Sequence, residues 1–317
     1  MQGEIERVVP EDTSRLVTID SYQDDLDIDM IIQCLRDDLV VLVQKVNATE
    51  IDSIMSKIAS RLEMEVALEL QSGFAGLYGR RHNISRYFMS VNARTDYQFV
   101  TAHSEGTSFA GMQLSSFFCY ENSTDGGETI LMNIDESGSG WKLIRERVLR
   151  AKLGARRLTK QEIMQARLYQ LSLPDDILSD DDIVLNEQKS QIEGLTLVAV
   201  LAKPRQTYSR ILEKHVDVYW DSIDSADYDS LHEFEHMLRH LRLIKEPPGG
   251  LDITRMDSDA DRRVWHSGIK YKDLFKARLV RKLIAGDLII QNNLTWTHAV
   301  NNWSPESGMR KVAAAFA

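Results

Sequence analysis

Two cysteines, Cys34 and Cys119, are all that 317 residues carry, too few for a disulfide framework or a cysteine-based zinc site. No run of about 18 apolar residues occurs, so nothing in the sequence reads as a membrane-spanning helix. The first residues lack the basic region and apolar stretch of a secretory leader. A cytoplasmic location is therefore the expectation, and the Asn-x-Ser/Thr triplets at Asn47, Asn83, Asn122, Asn293 and Asn302 carry little weight as glycosylation sites. Positive charge is also short: 38 Lys and Arg stand against 48 Asp and Glu, a formal net charge of -10. Nucleic-acid binding draws on clustered cations that displace counterions, so nucleic acid is not an expected partner. What the chain does have is 43% hydrophobic residues, enough to bury a large core within a single domain over 1–317.

Residues 1–25 are polar and acidic and read as a loosely held N-terminal lead-in. Ile31, Ile32 and Leu35, then Ile51, Ile54 and Ile58, keep helical spacing on either side of a strand-like run at 39–43, predicting helix, strand, helix. Strand texture dominates 112–120 and 128–133, and the Asp125-Gly126-Gly127 turn between them predicts a hairpin. About 140–280 reads as a largely helical insertion or lid. It includes a basic helical stretch to about 169, an acidic exposed loop over 171–195, a short strand at 196–201, a helix over 227–243 and a basic helix near 271–284. Three strand-like segments close the chain. The fold class expected is mainly β with flanking helices (α+β), in which sequence-distant strands pair in a jelly-roll, or double-stranded β-helix, core.

His103 and Glu105 are two residues apart. On extended backbone, i and i+2 face the same way, so one strand end can offer both to a metal. His298, in a C-terminal strand-like segment, can complete the 2-His-1-carboxylate set that holds Fe(II) on one face. Taken alone, a His-x-Glu pair is more often an ordinary surface or hydrogen-bonded histidine than a metal ligand. The wider pattern resembles a known family: His103-x-Glu105, Gly126-Gly127-Glu128-Thr129, Gly286-Asp287, His298 and Arg310 are similar to the Fe(II)/2-oxoglutarate-dependent oxygenases of the taurine dioxygenase type, in their clavaminate synthase-like branch.

That resemblance covers about 95–135 and 284–317. It implies iron ligation by His103, Glu105 and His298, and an ion pair between Arg310 and the distal carboxylate of 2-oxoglutarate, with Thr129 donating to the same group. A guanidinium suits that role because its planar fork matches a carboxylate. The implied cofactors are Fe(II), 2-oxoglutarate and O2. The implied reaction is oxidation of a C–H bond of a small molecule, such as an amino acid or specialised metabolite, by hydroxylation, desaturation or oxidative cyclisation, with succinate and CO2 as co-products. Family members that halogenate carry a small residue in place of the carboxylate, so Glu105 points away from halogenation. Candidate substrate-binding residues are Arg81, in the basic segment 78–86, together with Phe99 and Thr101, which share the parity of His103, and Gln113 and Ser115.

A second metal pattern competes. His232, Glu233 and His236 fit H-E-x-x-H, the helix-borne signature of zinc hydrolases. The extended form would need Gly and His where Arg239 and Arg242 stand, and Pro247 and Pro248 break the helix soon after. Leu231, Phe234, Leu238 and Leu241 make an apolar stripe there, so an amphipathic surface helix is the plainer reading. A jelly-roll binding protein without catalysis is the third alternative. Oligomeric state is not legible.

Overall fold

The computed structural model describes residues 8–74, 81–91, 94–257 and 259–317, the side chain of Phe74 excepted. Strands β1 (Leu16–Ile19) and β2 (Val40–Val43) flank helix α1 (Asp25–Arg36), and α2 (Ile51–Arg61) and α3 (Glu65–Phe74) follow. Asp24 caps α1 by accepting from the Leu26 N–H, and Ile28, Ile31, Ile32 and Leu35 form its buried face. Next come β3 (Met89–Ser90), β4 (Val100–His103), β5 (Leu114–Asn122) and β6 (Thr129–Ile134). The chain closes with β12 (Phe275–Arg281), β13 (Leu288–Asn292), β14 (Trp296–Val300) and β15 (Arg310–Phe316). These strands form two sheets, ordered β1-β2-β13-β5-β15-β3 and β12-β6-β14-β4.

The side-chain alternation of each strand explains how the sheets stack. Val40, Leu42, Phe117, Cys119, Ile289, Val312, Ala314 and Phe316 of the first sheet share one apolar cluster with Leu131, Leu279 and Trp296 of the second. The opposite parity of the first sheet, including Val41, Val43, Phe118, Leu288, Ile290 and Ala313, packs under α1 and α2. Outward residues of the second sheet, Ala102, Ile130, Met132 and Ala299, meet the helix Tyr228–His240. The order is therefore helices, six strands, four strands, helix, which is the mainly β arrangement with flanking helices expected from sequence. Strands covered on both faces carry consecutive apolar residues, as 40–43, 130–132 and 288–290 do.

Three expectations need correction. β5 and β6 are not a hairpin: β5 lies between β13 and β15, and β6 between β12 and β14, in opposite sheets. A turn signal specifies a reversal but not its plane, and the turn is drawn across the sandwich by packing. A Cβ on Gly126 would stand 2.0 Å from the Asn302 carbonyl oxygen.

The lead-in is built into the sheets rather than loose. β1 pairs in parallel with β2, and the Pro10 and Arg278 backbones bond along the exposed side of β12. Its first seven residues lie outside the described part.

Nor is the insertion largely helical. It holds β7 (Glu146–Leu153), α4 (Lys160–Ala166), β8 (Ile183–Lys189), β9 (Leu195–Ala202), β10 (Thr207–Ser209), β11 (Lys214–Val216), the short α5 (Asp221–Asp224) and α6 (Tyr228–His240). β7, β9 and β8 form their own three-stranded sheet. The basic run at 142–157 mimics helical spacing, yet β7 pairs residue for residue with the apolar β9. Residues 275–281, read as a basic helix, are core strand β12: Ala277 to Arg281 pair residue for residue with β6 after an irregularity at Phe275, and Phe275 and Leu279 are buried on opposite faces of the sheet.

Candidate metal and dicarboxylate site

His103 is the last residue of β4, and β14 runs antiparallel beside it with His298 directly opposite His103. Cross-strand neighbours on one face bring their side chains together, and the two imidazole centroids are 4.5 Å apart. Glu105 follows past the strand end. Its Oε1 lies 3.9 Å from His103 Nε2 and 3.8 Å from His298 Nε2. Among the described residues this is the one group of three such ligands able to hold a metal ion, with ligand atoms within 4.8 Å of one another.

Neighbouring groups aim the three side chains. Thr101 O lies 2.9 Å from His103 Nδ1, so the ring donates there and leaves Nε2 as the ligand nitrogen. Asn293, fully buried in the β13–β14 turn, accepts from the Glu105 N–H at 3.1 Å and donates to the Glu105 and Met112 carbonyls at 2.9 and 2.8 Å. It thereby fixes Glu105 relative to the His298 strand. Nothing local in the sequence marks this asparagine. Asn293→Ala is expected to weaken Fe(II) binding by about 10- to 100-fold, as loss of a supporting hydrogen-bond partner does, with His103 and His298 unchanged. Calorimetric titration checks it, and wild-type affinity in the variant would remove the assigned role.

Burial would push the Glu105 carboxyl up, but Arg81, 3.0 Å away, and the two histidines hold it well below the usual carboxylate range. Burial and the His103 charge push His298 down to about 4. His103 goes the other way: against burial, its bond to Glu105 and the charge of Asp221 raise it to about 9. Asp221 is placed beside it because the backbones of Ser104 and 219–221 bond to each other.

The triad opens into a cavity of about 340 Å³. Thr129, at the start of β6, and Arg310, at the start of β15, line the same space. The two glycines before Thr129 make this possible. Gly127, at φ +73°, passes so close to the Arg310 stem that a Cβ would stand 3.0 Å from its Cδ. Arg310 donates from Nε to the Gly127 carbonyl at 3.2 Å. Among the described residues no carboxylate lies within ion-pair distance of Arg310, and burial pushes its pKa down to about 10. Thr129 Oγ1 is sealed from solvent and has no hydrogen-bond partner among the described residues. A half-buried cation and an unpartnered hydroxyl on one cavity wall are the electrostatic half of an anion site. Gly286 and Asp287, by contrast, form the turn into β13, where Asp287 accepts from the Ile284 N–H at 3.0 Å.

Of the substrate-binding candidates, Arg81, Phe99 and Thr101 are on the cavity wall. Arg81 is engaged with Glu105, and the Thr101 hydroxyl donates to Asp224, which with Asp257 flanks the buried Arg263. Tyr78, Gly79 and Arg80 of the basic segment lie outside the described residues. Gln113 and Ser115 do not line the cavity. Gln113 donates to Tyr208 O at 3.2 Å and accepts from the Arg210 N–H at 3.0 Å, while Ser115 is fully buried. Parity gives the face of a strand but not how far along it a cavity reaches, and on β5 it is Phe117 that arrives.

The H-E-x-x-H pattern lies on α6, whose buried face is Leu231, Phe234, Met237 and Leu238. His232 and His236 are on its exposed side. Glu233 accepts from Lys270 Nζ and the Tyr271 N–H, both at 3.0 Å, and so anchors the segment leading into β12.

No protein-family model matches the chain, and no curated protein sequence matches it. Solved structures similar to it include AAD-2 in complex with Mn(II) and N-oxalylglycine, at 11% identity and TM-score 0.44 over 95% of this chain and 93% of that one. A putative alpha-ketoglutarate-dependent taurine dioxygenase from Burkholderia xenovorans gives 10%, 0.40, 95% and 86%. PvcB from Pseudomonas aeruginosa gives 11%, 0.39, 95% and 84%. The functional reading therefore rests on the geometry of the site.

Proposed function

We propose that this chain is an Fe(II)- and 2-oxoglutarate-dependent oxygenase of a small molecule, built on a jelly-roll core. Successive strands β3 to β6 and β12 to β15 alternate between the two sheets, which is how a double-stranded β-helix is wound. The observation that carries the reading is the joint presence, in one cavity, of a two-histidine, one-carboxylate cluster and a half-buried arginine with no carboxylate in ion-pair reach among the described residues.

The residues present fit both groups. A mixed imidazole and carboxylate donor set suits Fe(II), and the unpartnered Thr129 hydroxyl and Arg310 fork suit a carboxylate. His103 and His298 would hold the metal through Nε2 and Glu105 through Oε1. Arg310 and Thr129 would hold the distal carboxylate of 2-oxoglutarate. Iron and 2-oxoglutarate together supply the oxidising power for an unactivated C–H bond, turning 2-oxoglutarate, O2 and substrate into succinate, CO2 and oxidised substrate. The chain's own contribution is positional: Asn293 sets the carboxylate ligand, Thr101 O sets the His103 tautomer, and Phe117, whose ring is 4.8 Å from that of His298, keeps one side of the site apolar. With Glu105 present, hydroxylation, desaturation or oxidative cyclisation is favoured over halogenation. A cavity of about 340 Å³ is at the small end of the range for small-molecule sites. No helix among the described residues is long and apolar enough to cross a membrane.

Anaerobic Fe(II) titration in the presence of 2-oxoglutarate is expected to give the weak visible charge-transfer band of the chelate, in the wild type and equally in His236→Ala. Absence of the band, with metal binding that survives His103→Ala but not His236→Ala, would transfer the chemistry to the α6 pattern and sink the oxygenase reading.

A further inference from the structure

Five arginines line the cavity, and three of them are neutralised within the chain. Arg81 pairs with Glu105 at 3.0 Å, Arg262 with Asp259 at 3.3 Å, and Arg263 with Asp257 at 2.8 Å and Asp224 at 3.6 Å. Arg94 and Arg310 are the exceptions: among the described residues neither has a carboxylate within ion-pair distance. Both instead sit over the ring of Trp303, with guanidinium carbons 5.4 and 5.9 Å from its centroid. Among the described residues Arg94 Nη1, sealed from solvent, has no hydrogen-bond partner, and neither has Thr129 Oγ1 on the same cavity. We propose that Arg94 joins Arg310 and Thr129 in one seat for the distal carboxylate of the 2-oxo dicarboxylic acid, with the Trp303 indole holding the two guanidinium groups side by side. This inference rests on the co-substrate reading above.

Two like charges brought together out of water repel and lose hydration, and the ring contacts offset only part of that. Burial and then the Arg310 charge drive Arg94 far below its usual pKa, which expresses the same tension. One carboxylate relieves it: two oxygens offer about four lone-pair sites, enough for the Arg310 fork, Arg94 Nη1 and the Thr129 hydroxyl together. The seat is specific for an acid that places a second carboxylate at this depth. A 2-oxo monoacid leaves both cations uncompensated, so Arg94 acts as a specificity residue for the co-substrate rather than as a metal or substrate ligand.

The test is calorimetric titration of the Mn(II)-loaded protein with 2-oxoglutarate and, separately, with 2-oxobutyrate, which lacks the distal carboxylate. Arg94→Met is expected to weaken 2-oxoglutarate binding by about tenfold or more, since it removes one charged partner from a buried pair. It should leave 2-oxobutyrate binding within about twofold, and Arg94→Lys should recover part of the loss. Unchanged Mn(II) affinity certifies that each variant is folded at the triad; should Arg94→Met fail that check, Arg94→Lys alone is read, with an intermediate loss expected for 2-oxoglutarate only. Wild-type 2-oxoglutarate affinity in Arg94→Met, with a large loss in Arg310→Met, overturns the Arg94 assignment and leaves the co-substrate reading standing. Equal losses for both acids also overturn it. Wild-type affinity in both arginine variants would bring down the co-substrate reading and this inference together.

Discussion

Replacing His103 with alanine is expected to lower Fe(II) affinity by at least about 100-fold while leaving the chain folded. A protein metal site releases on the order of 10 kcal/mol, so one ligand of three accounts for roughly 3 kcal/mol, and each 1.4 kcal/mol is tenfold. The fold survives because Glu105, the acid left behind, keeps Arg81 at 3.0 Å and its backbone bonds to Asn293. The same site sets the pH dependence. His103 is raised to about 9 and His298 lowered to about 4, so at neutral pH one imidazole is already neutral and the other must lose a proton to bind metal. Iron affinity is expected to rise from pH 6.5 to about 9, with close to one proton released per ion. In the metal-free protein the sign is opposite for stability: a raised histidine stabilises the fold fully below its unfolded pKa of about 6.5, and that contribution is lost as pH rises through 9. Titration in buffers of differing ionisation enthalpy measures both affinity and proton count. A flat affinity across this window, or no loss in His103→Ala, would remove His103 from the metal site.

Arg310→Met should abolish useful 2-oxoglutarate binding and at the same time raise the thermal stability of the protein without ligand. Truncating one partner of a buried, hydrogen-bonded charge pair costs about 2–5 kcal/mol, which is roughly 30-fold to several thousand-fold in dissociation constant. Without ligand the balance reverses, because the wild-type chain buries a guanidinium that has no counter-charge among the described residues. Methionine removes that penalty for the loss of one hydrogen bond to Gly127 O and of the contact with the Trp303 ring, each worth about 1 kcal/mol. A melting series with and without 2-oxoglutarate reads both effects: the variant melts higher alone, and its melting point no longer responds to the acid. A variant that melts lower alone yet still responds would show that Arg310 serves the fold and that the anion sits elsewhere.

Much of this site is legible in the sequence because its signals are local. His103 and Glu105 reach one point because i and i+2 share a face on extended backbone, and Gly126 and Gly127 mark where the chain reverses. The strand texture of β13, β14 and β15 is likewise written in adjacent residues, as is the helical spacing of α1, α2 and α6. The misreadings have a common cause. Strand β7 looks helical until the distant β9 pairs with it, β12 looks like a basic helix until β6 and the Pro10 and Asp12 backbones bond along its two edges, and the turn at 122–127 looks like a hairpin until Asn302 packs against Gly126. In each case a long-range contact outweighs a local preference of under about 1 kcal/mol per residue.

Charge balance divides the same way. The sequence by itself determined the residue types, the parity of each strand and the net acidity of the chain. Tertiary structure alone decided that His298 faces His103 across a ladder, that Asn293 holds Glu105, and that Arg94 and Arg310 are the cavity arginines with no acid partner among the described residues. Pairing and desolvation depend on which sequence-distant groups meet away from water, and spacing along a chain does not record that.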